Sequence, residues 1–489
     1  MLQQKFRKIC ENRGFQQIFG KIREKRGFQQ KFGERSMKKI FIRSGMTPFE
    51  GLSPAQMLLD NSIGDNAGNL IYMNSIYRTL MTDDQTEFLP SRYEYYPSQA
   101  RMINENCSCV VIPLADAFRS SFEGGLNSLT KLVKAVHVPC TVVGVGLRAP
   151  LGVTSFQDFP FNEKVKKFLS AVLDKSAIVG VRGEITADYL KALGFLPEKH
   201  FTVIGCPSLY TWGNRLKVRP VQIQHDSRIC VNNNVDADQN VQKFIRRLMA
   251  RYPGAVFLPQ LQREFRTVYT GASFVHKDHS KDYPDRITDP VYLEGRVRFF
   301  CDVPSWLAFL RESAFTAGPR MHGNIASILA GTPGVLIVKD SRMEELASYH
   351  RLNCVYSSEI TEDTTLEELA EKADYGPMEK AAGENFRRYI HFLHSNGLKT
   401  IYDGGRIPAS GSTPFDRRMA LVKPFGPIVP VSLLSTEELA DRWDSYYPAY
   451  EERYQKMLKE NGRFRRGVER FVKADVLRRK ILGEDSSRS

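Results

Sequence analysis

Between residues 39 and 356, short apolar runs rich in Val and Ile alternate with longer stretches in which apolar residues recur every three or four positions. The short runs suit buried strands, and the periodic stretches suit helices that lay one face on a core. In the first half this places strands at 39–42, 109–113, 140–146, 177–182 and 202–205, with helices over 68–81, 126–137, 162–175 and 183–194. A polar, basic lapse at 214–226, broken by Pro220, reads as a hinge. Beyond it the pattern predicts strands at 228–232, 255–259, 298–301, 314–317, 335–338 and 353–356. Helices are expected over 238–251, 304–312, 323–330 and 342–349, a polar interval runs to about 294, and helices at 366–373 and 378–395 close this half. Such a rhythm predicts an α/β protein with two Rossmann-like domains, 37–215 and 226–395, facing across a cleft. An irregular linker is expected over 396–435 and a basic helical extension over 436–489.

Composition adds limits. With 489 residues, 42% hydrophobic and 25% charged, the chain can bury sizeable cores, so wholesale disorder is excluded. Its net charge of +14 suggests a polyanionic partner until the charge is located. Residues 1–36 hold ten Lys/Arg against three Glu, and residues 451–489 hold twelve against seven acids. The stretch between them has 47 bases and 45 acids, with no basic and aromatic recognition module, so nucleic acid is not an expected partner. The N-terminal tail repeats Gln-Gln-Lys/Ile-Phe every thirteen residues, a spacing that scatters Phe6, Phe19 and Phe32 around a helix. It is expected to be disordered and outside the fold, as if read through upstream of Met37. The eight scattered cysteines read as reduced core thiols, and Cys107-Ser-Cys109 lacks metal-site spacing. No apolar run approaches the ~18 residues of a membrane span; a cytoplasmic location is expected, with a peripheral contact of the basic C-terminal segment to an anionic membrane.

Chemistry concentrates in Thr316-Ala-Gly-Pro-Arg-Met-His-Gly-Asn, where a strand ends and a helix begins. Arg320 and His322 stand at the carboxyl end of that strand, where open α/β sheets bind ligands and a helix N-terminus favours anions. Farther along come Ala330-Gly-Thr-Pro333, the strand 335–338 and Asp340-Ser-Arg342. This segment resembles the signature of the polysaccharide pyruvyl transferase family. Gly64-Asp-Asn-Ala-Gly-Asn69, Val143-Gly-Val-Gly146, Val179-Gly-Val-Arg182 and Gly205-Cys-Pro-Ser208 resemble further elements of it in the right order, over roughly 37–395. Gly183-Glu184 departs from the acidic residue that is common after the arginine.

The resemblance implies a GT-B-like fold and transfer of an enolpyruvyl-derived group from phosphoenolpyruvate to a sugar of a glycan or lipid-linked saccharide. The product would be a pyruvate ketal, phosphate would leave, and phosphoenolpyruvate would serve as donor substrate with no cofactor or metal. It gives Arg182, Arg320 and His322 catalytic roles, the arginines as bidentate anion clamps and the histidine as acid or base. Gly68, Asn69, Asp116, Asn232 and Arg342 are candidate substrate-binding residues. Gly68 and Asn69 would offer helix amides, and Asp116 would position a hydroxyl, act as base or cap a helix. The Asn232–234 run would hold a sugar or form a turn, and Arg342 would reach the site or merely begin its helix. His276 and His279 lack a third ligand for a metal site. A GT-B glycosyltransferase using a nucleotide sugar is the alternative enzyme, because its diphosphate would suit the same turn, and a non-catalytic basic peripheral protein is a third reading.

Overall fold

The computed structural model describes residues 39–274 and 280–460. The first half builds six short parallel strands, β1 (Lys39–Ile42), β2 (Phe88–Pro90), β3 (Cys107–Pro113), β4 (Cys140–Val143), β5 (Val179–Val181) and β6 (Phe201–Val203). They pair in the order β2-β1-β3-β4 and β5-β6, and a parallel bridge between Val145 and Val181 joins the two groups. The second half adds β7 (Ile229–Val231), β8 (Val256–Phe257), β9 (Phe315–Gly318), β10 (Gly334–Val338) and β11 (Cys354–Tyr356), a parallel sheet in the order β11-β10-β9-β7-β8. Val231 lies opposite Ala317, and Gly318 opposite Leu336, so these three strands end nearly level. All-parallel strands need helices on both faces, which is why they read as unbroken Val/Ile runs rather than alternating ones.

The expected α/β architecture of two parallel-stranded halves is present. One contact between them is a helix pair. Almost every residue of the helix Gly68–Leu80 is buried, polar Ser75 and Arg78 included, which bond the Pro207 carbonyl and Asp416. Together with the helix Met321–Leu329 it shares one core that runs from Ile71 and Tyr72 to Ile325 and Val231. The linker 396–435 holds a short helix, Pro414–Met419, whose Asp416 receives a two-pronged bond from buried Arg78 at 2.9 and 3.0 Å.

Several elements escaped the periodicity. The polar interval contains the helix Gln262–Thr270, whose charged residues mask the buried stripe Phe265, Val268 and Tyr269. Residues 298–301 form only isolated pairings, Phe299 with Ile428 beside a Val297–Phe257 bridge. The C-terminal helix Thr436–Glu460 carries seven acids against four bases, so the described part of the extension is acidic. Its expected basic surplus belongs to 461–489, which, like the repeat at 1–36 and the residues His276 and His279, lies outside the described residues. Among the described residues no helix is long and apolar enough to cross a membrane.

Candidate active site

A cleft of about 280 Å³ opens where the carboxyl ends of both sheets meet. Arg43 follows β1, Asp116 and Arg119 follow β3, Arg148 and Arg182 follow β4 and β5, and Arg320, His322 and Arg342 come from the turns after β9 and β10. Six arginines therefore face three aspartates, Asp65, Asp116 and Asp236.

Arg320 is held from behind. β9 ends at Gly318 with φ +144°, and any side chain there would put its Cβ 1.9 Å from the Asn232 carbonyl oxygen, so only glycine allows the turn. Asn232 Oδ1 accepts the Arg320 backbone N–H at 2.7 Å, and Arg320 Nε donates to the Asn233 carbonyl at 2.7 Å. Its Nη2 lies 3.7 Å from Glu264, a fully buried carboxylate that accepts the amides of Gln260 and Leu261. Asn232 itself does not line the cleft; it braces Arg320 rather than facing a sugar.

Arg182 enters from the opposite sheet. It is buried and donates from Nε to the Gly144 carbonyl at 3.2 Å. Among the cleft's arginines, Arg43 Nε, Arg182 Nη2, Arg320 Nη2 and Arg342 Nε are buried nitrogens with no hydrogen-bond partner. Leaving such groups unmade costs about 1–3 kcal/mol each, more when charged. Four around one cleft mark a place built for an anion.

His322 packs between these cations. Its ring sits 6.0 Å from that of Tyr72, and Nε2 lies 3.8 Å from Cys206 Sγ. Burial, then the charges of Arg182 and Arg342, push its pKa down to about 3 against the opposing pull of Asp116. The imidazole is thus neutral near pH 7. A Cβ on Gly68 would come within 2.7 Å of His322 Cβ. Gly68→Ala is therefore expected to displace the imidazole and lower turnover about 10²-fold, as small misplacements do, with overall fold retained by circular dichroism.

Asp116 meets Arg119 at 2.5 Å, Arg342 at 3.0 Å and Arg148 at 3.8 Å. Burial would raise its pKa, but the guanidiniums of Arg342, Arg119, Arg182 and Arg148 hold it well below the usual carboxylate range. A carboxylate so firmly ionised is a poor base and caps no helix. It fixes Arg342, whose second nitrogen pairs with Asp340 at 3.1 Å. The amides expected to meet an anion are already used: Gly68 N–H donates to Asn66 Oδ1 at 2.8 Å and Asn69 N–H to the Asn66 carbonyl at 3.0 Å. The Asn69 side chain ties the turn through the carbonyls of Ile63 and Gly64, at its place on the cleft edge.

Sequence reasoning passed over Arg43, Arg119, Arg148, Glu264 and Lys339. The strand-end rule would have found Arg43, the first residue after β1. Lys339 donates to the Asp236 carbonyl, and burial, with Arg342 and Arg320 reinforcing it and Asp340 opposing, brings its pKa down to about 8. Among the described residues no three His, Cys, Asp or Glu side chains group as a metal site.

The halves are clasped beside the cleft by the helix Ser341–His350. Glu345 accepts the backbone and side chain of Thr186 at 2.9 Å each, and His350 Nε2 accepts the Cys206 N–H at 2.8 Å. Burial, partly offset by Thr186 and Arg182, raises Glu345 to about 7; burial and then Arg182 lower His350 to about 3. Below pH 6.5 the unfolded chain takes up two imidazole protons that native His322 and His350 refuse. From about 7 down to 4.5, native Glu345 keeps a proton that the unfolded chain has lost. The difference is one proton, so stability is expected to fall by about 1.4 kcal/mol per pH unit from 6.5 towards 4.5. Urea titrations across that range would measure the slope, and His350→Gln should flatten it.

The family model described as polysaccharide pyruvyl transferase matches residues 9–341. No curated protein matches the chain in sequence. Among solved structures, S. aureus MnaA with UDP is 14% identical over 74% of this chain and 98% of its own, at a TM-score of 0.39. The Neisseria meningitidis UDP-GlcNAc 2-epimerase bound to UDP-GlcNAc is 11% identical over 74% and 100%, at 0.37. An uncharacterised Klebsiella pneumoniae protein is 14% identical over 65% and 92%, at 0.35. The family match spans most of the sequence and takes in Arg182, Arg320 and His322: the chain belongs to the polysaccharide pyruvyl transferase family.

Proposed function

We propose that the protein moves the enolpyruvyl-derived group of phosphoenolpyruvate onto two hydroxyls of a sugar in a cell-surface polysaccharide or its precursor. The observation that carries this reading is the set of buried guanidinium nitrogens without a hydrogen bond, on Arg43, Arg182, Arg320 and Arg342 from both sheets, around a neutral His322. Phosphoenolpyruvate brings a phosphate and a carboxylate, and guanidinium forks bind both. In the reaction one hydroxyl adds to C2 of the enol as a proton reaches the methylene carbon. The second hydroxyl then displaces phosphate from C2, so that one hydroxyl proton ends on the new methyl group and the other on the departing phosphate. No electrons are gained or lost overall, so the chemistry calls for no redox cofactor.

In this reading Arg182 and Arg320 grip the donor from opposite walls, Arg342 adds charge, and Asp116 and Asn232 hold these cations in place. His322, neutral until the donor's anions arrive and protonated beside them, gives its proton to the methylene carbon and is reprotonated by the first attacking hydroxyl, while the second hydroxyl's proton leaves with phosphate. The test is release of inorganic phosphate from phosphoenolpyruvate that depends on a glycan acceptor. Thermal stabilisation by a nucleotide sugar, with none by phosphoenolpyruvate, would overturn it in favour of a glycosyltransferase.

A further inference from the structure

Beside the cleft, the C-terminal helix Thr436–Glu460 lies against the helices Pro54–Leu59 and Gln262–Thr270 and encloses a groove of about 730 Å³. That volume falls among small-molecule sites, which span about 300–1,000 Å³. One wall is a row of tyrosines a helical turn apart, Tyr446, Tyr450 and Tyr454. Successive ring centroids are 6.0 and 6.2 Å apart, and the planes differ by 19° and 10°. Spacing of i, i+4 puts them on one stripe, and Tyr450 keeps 43% of its surface exposed. Arg263 and Arg266 bring cations to the same groove, Arg453 lines it while paired with Asp60, and Arg263 Nε is buried with no hydrogen-bond partner.

The groove adjoins the cleft. Asp65 and Leu261 line both, and the wall between them is a short pairing in which Gln262 N–H donates to the Asp65 carbonyl at 3.0 Å beside an Asn66–Leu261 bridge. We infer that the groove is the acceptor subsite, binding a saccharide chain whose end sugar crosses Asp65 and Leu261 into the cleft. The apolar C–H face of a pyranose stacks on a flat aromatic ring, and guanidiniums serve its hydroxyls and any carboxylate. The row lies beyond the residues 9–341 matched by the family model, so it would set which glycan this chain accepts. The inference rests on the pyruvyl-transfer reading for the chemistry at the far end, though not for saccharide binding itself.

The test uses full-length protein and oligosaccharides released by mild acid from the envelope glycan of the organism that makes it. Saturation-transfer NMR is expected to show contact with pyranose ring protons. The pair Tyr450→Leu and Tyr454→Leu should weaken binding about tenfold or more, while Tyr450→Phe and Tyr454→Phe, which keep the faces, should retain it. Phosphoenolpyruvate should raise Tm equally in all three proteins. No transfer to wild type, or equal binding by the leucine pair, would overturn the inference. Loss of saccharide binding in the leucine pair, with no Tm response to phosphoenolpyruvate even in wild type, would support the groove and sink the donor reading instead.

Discussion

Exchanging Arg182 for glutamine is expected to lower kcat/KM for phosphoenolpyruvate by about 10²–10⁴-fold, because removing one partner of a desolvated ion pair costs about 3–5 kcal/mol. Stability should behave differently. In the free protein Arg182 donates to the Gly144 carbonyl, faces the Tyr72 hydroxyl, and keeps one buried nitrogen, Nη2, without a hydrogen bond. Its removal relieves a desolvated charge but also ends its pull on Asp116 and Glu345, so Tm is expected to change little. Arg78 supplies the contrast: equally buried, it is saturated by Asp416, the Thr211 carbonyl and Tyr402. Arg78→Gln should destabilise by about 3–5 kcal/mol through its abandoned carboxylate. Parallel phosphate-release assays and thermal melts separate the two, and a Tm drop in Arg182→Gln as large as that in Arg78→Gln would show Arg182 to be structural.

His322→Gln should reduce kcat by about 10²–10⁴-fold, the usual worth of a general acid or base. Its protonation supplies the sharper check. The free-enzyme pKa of about 3 means that kcat/KM, which reports the free enzyme, should show no limb near 6.5 from this residue. A bound phosphate dianion offsets Arg182 and Arg342 and must raise the pKa, so the limb belongs in kcat. Labelled-histidine NMR at pH 6 should find the His322 imidazole neutral alone and protonated with phosphoenolpyruvate. A protonated ring in the free protein would contradict the role given to the two arginines.

How much of this was legible beforehand varies by residue. The parallel-sheet rhythm and the Arg320–His322 turn could be read, since strand periodicity and strand-to-helix turns are local patterns. The helix Gln262–Thr270 could not, because a short amphipathic segment rich in charge looks like a loop until something packs on Phe265 and Val268. Asn232 was visible as a strand-end amide, but whether it faced a ligand or Arg320 depended on β7 pairing with β9, more than eighty residues away in sequence.

The sequence by itself determined most of the order of strands and helices, the family, and the presence of Arg182, Arg320 and His322 at strand ends. Only the tertiary structure decided what those groups are. Asp116 and Arg342 are 226 residues apart, yet their contact makes one a firmly ionised anchor and the other a fixed cation. The same convergence leaves Arg182 and Arg320 each with a buried nitrogen that makes no hydrogen bond and strips His322 of its proton. Desolvation and pairing set these states, and both depend on neighbours brought in by the fold rather than by the chain.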